Sequence, residues 1–130
     1  MSLIPFKSYP QWRWDSFTRG EVQCQCGCGM MPEPYAMDLL QQLRRKFNKP
    51  MRITSAARCP DHNVRVSSTG PSGPHTSGTA FDIAVDRGDA WRLIQLATRD
   101  GWQGLGVSQK GVRGFIHIDK ARETPTVWSY

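Results

Sequence analysis

Two stretches of the chain alternate with period two. In Ala80-Phe81-Asp82-Ile83-Ala84-Val85, the large residues Phe81, Ile83 and Val85 fall on one face, and Ala80, Asp82 and Ala84 on the other. Gly114-Phe115-Ile116-His117-Ile118-Asp119 repeats the design, with Ile116 and Ile118 on one face and Phe115, His117 and Asp119 opposite. Both read as strands that bury branched aliphatics on one side and show His or Asp on the other. A helical period replaces this pattern in two places. Leu39, Leu40, Leu43 and Phe47 predict a helix from Pro34 to Lys49, closed by Asn48-Lys49-Pro50. Ala90, Leu93, Ile94 and Ala97 predict a second from Asp86 to Asp100, with Gly101 as its stop.

The remaining segments are placed around these four. Met51 to Ser55 has a β-branched bias and reads as a strand delivering Arg58 on the loop beyond it, and Asp61-His62-Asn63 continues that loop. Ser67 to Gly78 is a Gly/Ser/Pro-rich loop that leads into the Ala80 strand. Trp102 to Ser108 reads as a Gly-loosened strand, joined through Gln109-Lys110-Gly111 to the His117 strand as a hairpin. Arg122 to Tyr130 closes the domain with Trp128 packed. Residues 1–20, with Phe6, Tyr9, Trp12, Trp14 and Phe17, read as an extended arm that packs on the core; an aromatic contact surface is the alternative. The order predicts an α+β fold: a small, mostly antiparallel sheet, two main helices on one face and a cleft on the other.

Composition bounds the function. A chain of 130 residues, 38% hydrophobic with five Trp, fits one folded domain spanning 1–130, expected as a monomer. No run approaches a membrane span, and no apolar stretch follows Met1 to Lys7, so neither a membrane partner nor a signal peptide is expected. The net charge of +6 favours anionic partners. Beyond Arg44-Arg45-Lys46 the basic residues stand mostly alone, without the aromatic interleaving that single strands require, so nucleic acid is not expected.

The chemistry lies on the polar face of the two strands. An ionised Asp82 amid apolar residues is costly unless it is paired or holds a cation. His75, seven residues earlier at the loop mouth, and His117 on the second strand complete a two-His, one-carboxylate set, which suits zinc with an open fourth position. The plainer alternative is a backbone-capping Asp and two histidines in polar pockets. Cys24, Cys26, Cys28 and Cys59 lack the Cys-x2-Cys knuckle spacing of structural zinc. A bridge from the cluster to Cys59 and four free thiols both remain open, and a metal role is not expected for them.

Ser55-Ala56-Ala57-Arg58-Cys59-Pro60-Asp61-His62-Asn63, the His75-x6-Asp82 spacing and Phe115-Ile116-His117-Ile118-Asp119 together resemble the zinc D-Ala-D-Ala carboxypeptidases and peptidoglycan endopeptidases. That group extends to lysostaphin-type enzymes and the hedgehog signalling domain, and many close relatives look phage-encoded. The resemblance implies one Zn2+ on His75, Asp82 and His117, and hydrolysis of peptidoglycan stem or cross-bridge peptides. It implies delivery to the cell wall by lysis or on a virion. It also implies that Arg58 contacts substrate, either clamping a carboxylate or stabilising an oxyanion; a surface salt bridge to Asp61 is the structural alternative. Several relatives carry an acid three residues before the last His and a second His two before it; here these are Gly114 and Phe115. Asp119 shares the face of His117, so it is expected either as general base or as the group that orients His117, with His62 a distant third. A non-catalytic zinc-binding module and a phage tail component with the same fold are the alternative functions.

Overall fold

The computed structural model describes residues 2–130. In chain order the elements begin with β1 (Ile4–Pro5), α1 (Arg19–Val22), β2 (Met30–Met31), α2 (Pro34–Phe47) and β3 (Arg52–Ser55). They continue with α3 (Pro60–Val66), β4 (Ala80–Ala84), α4 (Arg87–Arg99), β5 (Gly104–Ser108), β6 (Phe115–Asp119) and β7 (Thr126–Ser129). The architecture is α+β, as the pattern predicts. Its main sheet has the order β3-β4-β6-β5-β7, antiparallel except for the parallel pair β5/β7.

β4 and β6 pair directly, with Phe81 opposite Ile118 and Ile83 opposite Ile116. All four side chains are fully buried. Burying each contributes roughly 1.5–3 kcal/mol, and a slip of one residue would turn the whole row to the opposite face. The same register sets Asp82 opposite His117 and Ala80 opposite Asp119. Hydrophobic burial on one face thus fixes which polar residues meet on the other.

The two main helices cover the apolar face. From α2, Ala36, Met37, Leu40, Leu43 and Phe47 enter one core with Leu93 and Ala97 of α4 and the four strand residues. Asn48, in the left-handed conformation (φ 57°), ends α2. The Arg92 guanidinium then donates to the carbonyls of Lys46 and Phe47, satisfying helix-end acceptors that would otherwise lack partners.

Three segments differ from the expectations. Asp61-His62-Asn63, read as loop, lie in α3: Pro60 sits at its first position and Cys59 caps it. A seven-residue helix with exposed Val64 and Val66 carries no apolar stripe to reveal it. Second, the arm is not extended throughout. β1 pairs with β2, and α1 starts at Arg19, where the Glu21 carboxylate accepts from the Thr18 amide at 2.9 Å. Trp14 and Phe17 are buried, and the Trp14 indole donates to Asp38 at 2.8 Å; Met1 lies outside the described residues. Third, the tail is a strand. β7 lies parallel to β5, with Trp128 opposite Gly106.

Candidate metal centre

His75 sits on a short 3-10 turn, Pro74–Ser77, where Thr76 donates its amide to the Gly73 carbonyl at 2.9 Å. Its ring Nδ1 lies 2.7 Å from the Ala56 carbonyl oxygen. A carbonyl only accepts, so Nδ1 carries the proton and Nε2 presents a lone pair. That Nε2 lies 3.2 Å from Asp82 Oδ1. From β6, His117 Nδ1 lies 3.0 Å from the same oxygen, while its Nε2 lies 2.7 Å from Asp119 Oδ2. An ionised Asp119 accepts, so the His117 proton belongs on Nε2 and its Nδ1 is also bare.

Three acceptor atoms therefore converge with no proton of their own between them. Both rings are nearly buried, at 5% and 3% exposure, and the three donor atoms lie within 4.8 Å of one another. Such a set needs a cation, or an added proton on a ring. Two imidazoles and a carboxylate, one ring backed by a second carboxylate, suit zinc.

The electrostatics agree. Burial opposes the charged form of His117, but its hydrogen bonds to Asp119 and Asp82 prevail and raise its pKa above 6.5. Burial likewise works against ionised Asp82, yet His117 and His75 hold its carboxyl far below the usual carboxylate range. Asp119 is also lowered: its bond to His117 outweighs burial. In metal-free protein the raised His117 adds stability that is complete below its unfolded pKa, about 6.5, and fades as pH rises through the folded one. The depressed Asp82 and Asp119 add stability present above their unfolded pKa, about 4, and lost as pH falls through the folded values. Chelated protein is thus expected to melt highest between roughly pH 4 and 6.5. Zinc, which competes with the His117 proton, should move that optimum toward neutral. Thermal melts against pH, with and without chelator, check both statements.

Asp119 lies behind His117. It is fully buried, and its Oδ1 accepts from the Ala121 amide at 3.0 Å, while Arg122 Nε stands 3.5 Å from Oδ2. The space it occupies exists because β5 has Gly104 opposite: a Cβ there would lie 2.1 Å from Asp119 Oδ2. Gly104→Ala is expected to cost on the order of 1–3 kcal/mol of stability and to weaken zinc binding. Urea denaturation and zinc titration of that variant are the checks.

Arg58 points at the same centre. Its guanidinium donates to Ser55 Oγ at 3.0 Å, to Asn63 Oδ1 at 3.1 Å and to Asp82 Oδ2 at 3.4 Å. Its carboxylate partner is Asp82, not Asp61. Fully buried Asn63, which sequence reasoning left as part of a motif, also donates to Thr69 Oγ1 at 2.9 Å and so ties the 67–70 loop to Arg58. His62 is not brought to the three donors; its amide instead donates to Cys59 Sγ.

Around these groups lies a cleft of about 610 Å³ whose walls include Phe115, Arg122, Trp128 and Tyr130. The Trp128 ring sits 5.1 Å from the His117 ring, with the Arg122 guanidinium 4.3 Å from its centroid. Gly106 makes this approach possible, since a Cβ there would lie 2.7 Å from Trp128 Nε1. The alternation Gly104-x-Gly106 was the available signal: both glycines face the ligand side, one opposite Asp119 and one opposite His117. A hollow of about 650 Å³ beside α4, near Trp91 and Val112, includes none of the three donors.

Residues 12–119 match the family model described as Peptidase M15. The chain belongs to the M15 peptidase family. No curated protein matches it. The match covers His75, Asp82, His117, Arg58 and Asp119, and it supports a zinc D-Ala-D-Ala carboxypeptidase-like peptidase acting on a peptide substrate. It ends before β7, so Trp128 and Tyr130 of the cleft wall lie beyond the matched residues. Among the described residues no helix of this M15 peptidase is long and apolar enough to cross a membrane.

Proposed function

We propose that the chain is a zinc peptidase that hydrolyses peptide bonds in peptidoglycan stem or cross-bridge peptides, as a D-Ala-D-Ala carboxypeptidase or as an endopeptidase. The observation that carries this is the convergence of His75 Nε2, His117 Nδ1 and Asp82 Oδ1 beside the Arg58 guanidinium. Zinc held by His75, Asp82 and His117 would supply Lewis-acid polarisation of the scissile carbonyl and a nucleophile at neutral pH. Asp119 keeps the His117 proton on Nε2 and so keeps Nδ1 free as a donor atom. Its burial behind the ring supports this orienting role over that of general base. Arg58, already oriented by Ser55 and Asn63, presents its fork to a substrate carboxylate or to the oxyanion. Trp128 and Phe115 wall the cleft beside these groups. The place of action is the cell wall, reached after lysis or delivery in a phage setting.

Mass spectrometry of muropeptides after digestion tests the reading. The expected result is loss of a terminal D-Ala or of a cross-link, abolished by chelator and restored by zinc. Bound zinc with unchanged muropeptides would instead make the chain a non-catalytic zinc-binding module. Arg58→Lys keeps the charge but not the fork. It is expected to lower kcat/KM by about 10-fold or more, one decade per ~1.4 kcal/mol, at unchanged zinc content. A lysine variant that cleaves at the parent rate would return Arg58 to a structural role.

A further inference from the structure

We propose that Cys24, Cys26, Cys28 and Cys59 form a second zinc site, structural and closed by four thiolates, outside the cleft. The spacing of the three N-terminal cysteines argues against this in the sequence, because it lacks the usual knuckle. The fold supplies what the spacing lacks: it carries Cys59, at the cap of α3, to the Cys24–Cys28 loop.

The four sulfurs lie within 4.8 Å of one another, with Cys24 to Cys26 at 3.4 Å and Cys26 to Cys59 at 3.6 Å. Four sulfurs about 2.3 Å from a tetrahedral zinc stand about 3.8 Å apart, so the cluster has nearly the dimensions of the ion's own shell. Disulfides would sort the sulfurs into two pairs about 2.05 Å apart. Here Cys26 is shared between Cys24 and Cys59, and no such pairing is marked out.

The backbone is arranged for this grouping. Gly27 and Gly29 take φ of 86° and 81°, left-handed values that turn the chain around Cys26 and Cys28. Two amides aim at sulfur: Cys59 N donates to Cys24 Sγ at 3.3 Å, and His62 N to Cys59 Sγ at 3.4 Å. Such donors stabilise the negative charge of thiolate ligands. Cys24 is buried while Cys26 and Cys28 are exposed, so the site is anchored on the core yet open to ion entry. A metal there would bind the segment before β2 to the residue directly after Arg58, stapling the substrate-side loop to the N-terminal arm.

The test uses reduced protein loaded with metal and does not depend on whether the cleft cleaves anything. Wild type is expected to hold two zinc per chain, and His75→Ala/His117→Ala to hold one. Replacing that remaining zinc with cobalt should give an intense near-ultraviolet thiolate-to-cobalt charge-transfer band. Four thiols should become titratable once the metal is removed under denaturing conditions. Cys26→Ser/Cys28→Ser should lose one zinc while keeping the cleft zinc. Should that variant fail to fold, the cobalt spectrum of the cysteine-intact protein still decides. A cleft variant that binds no metal, or binds cobalt without the charge-transfer band, overturns the proposal. So do fewer than four thiols when freshly purified, unreduced protein is titrated under denaturing conditions with chelator, which would mean disulfides instead.

Discussion

His117→Ala and His75→Ala are each expected to remove one zinc equivalent per chain and to lower peptide cleavage by at least ~10³-fold, since a catalytic metal contributes several kcal/mol. Each histidine supplies one of the three donor atoms that converge among the described residues. The two should differ in stability. His75→Ala leaves the Ala56 carbonyl without the ring donor that now reaches it at 2.7 Å. His117→Ala takes a partner from two carboxylates at once, Asp82 and Asp119, that its ring now bridges. Truncating one member of such a buried charged network costs about 3–5 kcal/mol, so His117→Ala should be the less stable of the two. Elemental analysis with a muropeptide assay checks the first statement, and denaturant melts the second. Full zinc occupancy in both variants would remove these residues from the ligand set.

Asp119→Asn is expected to weaken zinc binding by about 10–100-fold, with turnover largely recovered at saturating zinc. The substituted amide could still accept from His117 Nε2 through its oxygen, but it carries no charge to make the ring a better donor. The distinction from a general base lies in the recovery. A lost base would leave the variant inactive at full occupancy, whereas a lost orienting group leaves it hungry for metal. Chelator competition gives the affinity, and kcat against zinc concentration separates the two roles.

The polar face of the central strands was legible because its opposite face is so apolar. Phe81, Ile83, Ile116 and Ile118 fix the register, and the register brings Asp82 to His117. The period also put Asp119 on the face of His117, but not its direction. The imidazole has two nitrogens pointing opposite ways, and here it spans from Asp82 to Asp119, leaving the second carboxylate behind the ring. That arrangement depends on Gly104 across the sheet, which the sequence showed only as a weak strand. The cysteines were legible only as a choice between a bridge to Cys59 and free thiols. Three of them share one tight loop and the fourth arrives through tertiary structure, so the convergence of all four sulfurs has no signature in linear spacing. α3 and β7 were too short for either periodicity to register.

The parallel pairing of β7 on β5 has a consequence for how the molecule breathes. β4 and β6 are hydrogen-bonded on both sides, whereas β7 is an edge strand held on one. Its ladder is four residues long, and only Trp128 within it is partly buried. Amides of such an edge exchange with solvent through local opening, at far lower free energy than global unfolding. The floor of the cleft, with His75, Asp82 and His117, and its aromatic wall therefore belong to different levels of cooperativity. Opening of β7 would move Trp128 without breaking the β4/β6 pairing that carries Asp82 and His117. A peptide lying against that wall would bind a surface it also has to order, and its grip would register as slowed exchange along β7.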